Sequence, residues 1–405
     1  MKDKRLKIII MTLGVILILC SLFFNPYVLF KAPYVGEFEN LLYIKIYVIF
    51  LEVLIFLIGL SFFRKPDKII KKIRDVKQVN FTKKEFILLL SSITFCLVLL
   101  ELLGRILFAS TNGLPFSFSS KEMTYPALYT STKNYTDKYT NVLLIGGSVL
   151  HNNSQILIDS WKDRSIHFYN LAHPAHTSLD SLYKYQYLTK KKYKFDFVIF
   201  YHGINEVRTN NIQKEFFKED YGHYYYYRWV NAAFKEEQPM FNFYLSSTLI
   251  YNSYHLFCKF YGMTIFKKKE FVPFDIPVPE LSQFGGEIKS EKSFRKNLIK
   301  IAEIAHAENT ILIVPFFAFH PFPPDQKMTN IWGEPKNVIK GIERHNRVVS
   351  EIKGKYITID TSVINKDRDN FEDICHFTSK GNKKFFDLLT NKVYNLMRTR
   401  PKGNR

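Results

Sequence analysis

A serine, Ser148, stands directly after the apolar run of "NVLLIGG", residues 141–147. Far downstream, in "DICHFTSKG", Asp373 and His376 lie three residues apart. Between them, "HGINE" places Gly203 and Asn205 just after a second apolar run, "FDFVIFY". A hydroxyl, an imidazole to take its proton and a carboxylate to orient that imidazole are the groups that nucleophilic attack on an ester carbonyl requires. The charge that develops on the carbonyl oxygen needs donors, and the Asn205 amide and backbone N–H groups are of the right type. Singly these residues are ordinary. A serine after two glycines is a turn residue, an aspartate before a helix is a cap, and a glycine such as Gly203 permits a turn.

The elements that would position them alternate. "NVLLIG", "IHFYNLA", "FDFVIFY", "TILIVPF" and "YITID" are buried-strand runs. Between them, "SLDSLYKYQYLTKKK", "SEKSFRKNLIKIAEIAHAEN" and "PKNVIKGIERHNRVVSEI" carry apolar residues at helical spacing, and a last helix is expected from about Ser379 to Met397. Strand–helix alternation predicts an α/β fold with a mostly parallel sheet covered on both faces. Ligands of such sheets bind beyond the carboxyl ends of the strands, where Ser148, "NLAHPAHTS" (170–178) and "HGINE" all fall.

In this order, the four blocks resemble the SGNH (GDSL-like) hydrolase family. "IGGSV" is similar to its nucleophile block, with Ser148. "NLAHPAHTS" is similar to the second block, "HGINE" to the third, and "DICHFTSKG" to the Asp-x-x-His block, including the following Gly381. The resemblance covers about Asn141 to Arg398. It implies a three-layer α/β/α flavodoxin-like fold and ester hydrolysis or acyl transfer. Ser148, Asp373 and His376 would be the catalytic triad, and Ser148, Ala175 and Asn205 the oxyanion donors, with Gly147 and Gly203 supporting. Two departures stand out. The family's common Asp before the serine is Gly147 here, and the second-block glycine aligns with Ala175 or, alternatively, with Ala172.

Ahead of this region lie three apolar runs, Ile8–Phe24, Leu41–Phe63 and Phe86–Phe108. Each has about the length of a bilayer-spanning helix. The first follows "MKDKR" and reads as a signal peptide or as an uncleaved helix. No small-residue cleavage site follows it, which favours the helix. Lys2, Lys4 and Arg5 precede the first run, a dense Lys/Arg stretch follows the second, and Lys31 alone lies between them. That asymmetry keeps the charged ends cytoplasmic and puts everything after Phe108 outside the plasma membrane. Lys45 and Glu52, and Glu101 and Arg105, fall within the runs as snorkelling or locally paired charges. Residues 109–140 read as a linker and 141–400 as the hydrolase-like domain. An aromatic insertion at about 209–286 is either a packed helical flap or a lid facing substrate or membrane, with helix expected over Phe241–Phe260.

The formal net charge is +20 in 405 residues. Much of it sits in the cytoplasmic loop, so anionic headgroups rather than nucleic acid are the expected neighbours. The four cysteines form no disulfide framework and no zinc spacing, though a Cys258–Cys375 bridge is open. His151, His173, His176, His202 and His320 lie near strand ends without a metal-site spacing, so no metal and no cofactor is expected, and His202 and His320 read as pocket walls. The expected function is a membrane-anchored esterase acting on ester-linked acyl groups, O-acetyl among them, of a cell-envelope polysaccharide or lipid. An O-acyltransferase with the same triad and a non-catalytic glycan-binding protein are the alternatives. Three helices without a polar stripe make no transporter path.

Overall fold

The computed structural model of the chain describes residues 11, 60, 64, 83–151, 166–210, 217–223, 225–235, 247–248, 290–320, 335–352 and 354–399. Two compact units divide the chain, Met1–Ser119 with Phe243–Phe260, and Ser120–Asn242 with Tyr261–Arg405.

The first unit contains helix α1, Lys83–Asn112, which includes the third apolar run. Phe95, Leu97, Val98, Leu102 and Ile106 lie exposed along it. Among the described residues no helix is long and apolar enough to cross a membrane. The runs at 8–24 and 41–63 lie outside the described residues, apart from Met11 and Leu60. Glu101 and Arg105 pair locally at 3.5 Å. Arg105 also donates to the Phe116 and Phe118 carbonyls. The Glu101 carboxylate accepts from Ser247 Oγ at 2.8 Å and from the Thr248 N–H at 3.0 Å. Thr248 itself has helical backbone. The rest of Phe241–Phe260 lies outside the described residues.

The second unit is built on five parallel strands. They are β1 Thr140–Gly146, β2 Ile166–Asn170, β3 Phe197–Tyr201, β4 Ile311–Pro315 and β5 Ile357–Ile359, in the order β2-β1-β3-β4-β5. Val142 pairs with Phe168 on one side and Phe197 on the other, Val198 with Leu312, and Val314 with Thr358. This is the flavodoxin-like strand order of an α/β fold, and it places the topological switch between β1 and β3.

Alternation along β1 sends its side chains to two cores. Leu143 and Ile145 join one with α4 (Ser178–Lys190), α6 (Tyr225–Phe234) and α7 (Lys292–Ala307). Val142 and Leu144 join the other with α5 (Ile204–Asn210), α8 (Pro335–Glu351) and α10 (Ser379–Thr399). All seven residues of β1 are buried, as a strand covered on both faces must be. Part of the stretch read as a linker is structured within this unit. It forms the short helices α2 (Ser120–Thr124) and α3 (Ala127–Thr130), and Tyr125 and Leu128 enter the first core. Another short helix, α9 (Ser362–Asn365), follows β5.

Candidate active site

β1 ends at Gly146, and a helical turn begins at Ser148, where the His151 N–H already bonds the Gly147 carbonyl at 3.0 Å. Ser148 is half-buried, and its Oγ lies 2.9 Å from His376 Nε2. His376 Nδ1 lies 2.6 Å from Asp373 Oδ2. A carboxylate only accepts, so the ring proton sits on Nδ1, and Nε2 is left to accept from the serine hydroxyl. The other carboxylate oxygen of Asp373 takes the N–H groups of Cys375 at 2.8 Å and His376 at 2.7 Å. Burial pushes the Asp373 carboxyl up, but the hydrogen bond and charge of His376 outweigh it, and the group stays below the usual carboxylate range.

The turn that carries this pair is closed locally. Phe371 bridges to Phe377, and Phe371, Ile374, Cys375 and Phe377 are buried in the second core. His320 fixes the turn by donating its N–H to the Ile374 carbonyl at 2.8 Å.

The opposite side of Ser148 is formed by the 171–178 loop and by α5. Asn205 is buried, and its Nδ2 donates one hydrogen to the His176 carbonyl at 2.9 Å. An amide nitrogen has two hydrogens, so the second remains for an incoming oxyanion. Ala175 has φ 64, in the left-handed region that favours glycine. Ala172 donates its own N–H to Asn170 Oδ1 at 3.0 Å and so is not a donor to substrate. Of the two alignments of the second block, Ala175 is therefore the position with the glycine-like backbone.

Gly147 and Gly203 have steric roles. A Cβ at Gly147 would stand 2.6 Å from Asn205 Nδ2, so any side chain there would meet the amide. A Cβ at Gly203 would fall 2.2 Å from the Phe317 ring. At Gly203 the ring's close approach is what requires a glycine.

Behind the loop lies a buried polar network that sequence reasoning did not single out. Lys184, 1% exposed, donates to the Leu171 carbonyl at 2.7 Å and to His176 Nδ1 at 2.5 Å. His176 Nε2 lies 3.1 Å from the Tyr226 hydroxyl, which donates to Asp180 Oδ1 at 3.3 Å. Tyr125 and Tyr227 also donate to Asp180, and Thr177 and Asp180 form a capping box at the start of α4. Glu206, next to Asn205, accepts from the Ser178 N–H and the Tyr221 hydroxyl. Burial raises its carboxyl to about 7. Burial and the Lys184 charge keep His176 neutral, and burial draws Lys184 down to about 7. The tyrosines at 221, 226 and 227 belong to the aromatic insertion, whose first part thus packs behind the loop.

The histidines proposed at strand ends have other uses. His151 Nδ1 meets the Ala172 carbonyl at 2.7 Å, and His173 stacks on His176 with centroids 4.4 Å apart. His202 is not a pocket wall. It is buried with Nε2 2.7 Å from Ser181 Oγ, and burial lowers it to about 3. Among the described residues, Asp373, Cys375 and His376 are the group whose ligand atoms cluster, within 4.8 Å. Asp373 Oδ2 and His376 Nδ1 already bond each other, and burial pushes the free Cys375 thiol well up, so it keeps its proton. A metal would have to displace that proton and that bond.

The chain thus combines an α/β fold with a flavodoxin-like sheet and a Ser–His–Asp constellation at its switch point. No family model and no curated protein sequence matches the chain. Among solved structures it is similar to a GDSL-like lipase from Bacteroides thetaiotaomicron, at 14% identity over 67% of this chain and 99% of that one, TM-score 0.39. It is also similar to a lipase/acylhydrolase from Enterococcus faecalis, at 13% identity over 65% and 99%, TM-score 0.33. A psychrotrophic esterase from a Pseudoalteromonas species is similar at 11% identity over 64% and 100%, TM-score 0.33.

Proposed function

We propose that the chain is a serine esterase that passes an acyl group from an ester through Ser148. The observation that carries this reading is the unbroken relay from Ser148 Oγ to His376 Nε2 and from His376 Nδ1 to Asp373 Oδ2. Ser148 Oγ attacks the carbonyl as His376 takes its proton, and the imidazolium that forms is stabilised by Asp373. The oxyanion is met by the Ser148 N–H at the start of its helical turn, the Ala175 N–H and the second hydrogen of Asn205 Nδ2. His376 then protonates the leaving alcohol, and water, activated by the same imidazole, releases the acid.

The proposed substrates are acylated glycans or lipids of the cell envelope. Three apolar runs and the Lys/Arg asymmetry around them support an integral membrane protein with its esterase domain on the outer side of the plasma membrane. The exposed apolar side chains of α1 support the same placement.

Turnover of p-nitrophenyl acetate and labelling by a fluorophosphonate probe test the chemistry. Both are expected in the parent and absent in Ser148→Ala, and equal labelling of the two would refute the nucleophile. Alkaline carbonate extraction and protease accessibility of intact cells test the placement. Release into the soluble fraction would refute anchorage.

A further inference from the structure

We infer that Lys184 is a positioning residue for the oxyanion donors, tying down both ends of the loop that presents them. This rests on the esterase reading and extends it to a residue of the first core that touches no substrate. The Lys184 ammonium reaches the Leu171 carbonyl at 2.7 Å, where β2 has just ended, and His176 Nδ1 at 2.5 Å, where α4 is about to begin. One cation thus bonds to both ends of the 171–176 segment. Ala175 lies within that segment in a left-handed backbone that carries strain, so it needs outside support to hold its N–H direction. The His176 carbonyl, at one of the tied ends, anchors the Asn205 amide at 2.9 Å. Two of the three proposed oxyanion donors therefore depend on the same ammonium.

The site is built to keep that ammonium there. Lys184 Nζ lies 4.8 Å from the Tyr125 ring centroid. The Tyr125 hydroxyl bonds Asp180, one turn earlier on α4, and Asp180 receives Tyr226, which in turn meets His176 Nε2. With His176 neutral, Nδ1 accepts from Lys184 and the Nε2 hydrogen turns to Tyr226, so the ring is held at both nitrogens. A buried charge seldom adds stability over an apolar residue of similar volume. Its retention here fits an orienting role.

The test uses the full-length protein in detergent with p-nitrophenyl acetate. Lys184→Met, which keeps the length and apolar stem, is expected to fold, to lose about 10- to 100-fold in kcat and to change KM by less than about threefold. In an Asn205→Ala background the same substitution is expected to cost clearly less than in the parent, because one of the two donors it positions is already gone and only the Ala175 N–H is left to misplace. Lys184→Gln, with one donor group remaining, is expected to recover part of the loss. If Lys184→Met does not fold, Lys184→Gln carries the same cycle. An unchanged kcat in a folded variant, or the same loss in both backgrounds, overturns the inference and leaves the esterase reading standing. A parent without Ser148-dependent turnover overturns that reading itself, and the inference with it.

Discussion

On the side of Ser148 that gives up its proton, two side chains three residues apart suffice, set in an apolar turn. On the side proposed to face the developing charge, the donors would come from three separate segments, and a buried network of Lys184, His176, Asp180, Glu206 and four tyrosines stands behind them. The Asp373–His376 turn closes on itself, with carboxylate, ring and backbone N–H groups all within four residues. The loop at 171–178 has one backbone turn bond, from the His176 N–H to the His173 carbonyl at 3.3 Å, and is otherwise tied to side chains of α4, α5 and α6. A local device tolerates change elsewhere, whereas a network spread over several elements can be loosened from many places.

Substitution should separate the two sides. The largest effects belong to the proton-transfer side. Ser148→Ala and His376→Ala are expected to abolish turnover, and Asp373→Asn to lower kcat by about 10⁴-fold, all with the far-ultraviolet dichroism of the parent. Asn205→Ala, on the other side, is expected to cost about 10²- to 10³-fold in kcat with Tm little changed. Gly147→Ala would press on the same amide from 2.6 Å. It is expected to lose about 10- to 100-fold in kcat, and full activity would show that the amide is free to move.

The fourth prediction concerns pH. The folded state holds Glu206 protonated up to about 7, against an ordinary value of 4.5. Between those values the folded protein binds more protons than the unfolded chain, so this group's contribution is present at low pH and lost as pH rises through about 7. Glu206→Gln should flatten that decline, by at most about 1.4 kcal/mol per pH unit, in urea unfolding followed from pH 5 to 8. The smallest effect belongs to Ala175→Gly. It relieves a left-handed alanine, at about 1–2 kcal/mol, but adds unfolded-chain freedom, at about 0.4–1 kcal/mol. A rise in Tm of a few degrees or less is expected, with kcat retained.

The same contrast explains what was legible beforehand. The α/β class with a mostly parallel sheet followed from alternating buried runs, the flavodoxin-like arrangement only from the resemblance of the four blocks, and Asp373 and His376 stood out because their partnership is written three positions apart. Asn205 was legible from its place after β3. Lys184 was not, because a lysine four residues after an aspartate on an amphipathic helix ordinarily reads as a solvated pair. Nine residues of α4 are in fact buried, Asp180 and Lys184 among them, since helices pack on it from more than one side. Tyr221, Tyr226 and Tyr227 read as an aromatic insertion, and only the fold brings their hydroxyls to carboxylates. His202 read as a pocket wall because it follows β3, whereas its ring turns inward to Ser181.

Gly147 has a consequence for the redesign of this chain. An aspartate placed at 147 would arrive where the Asn205 amide already sits. Positions 147 and 205 are therefore sterically coupled. In a combinatorial library, aspartate at 147 should be recovered among active clones only beside a compensating change at 205 or in the loop that ends at His176.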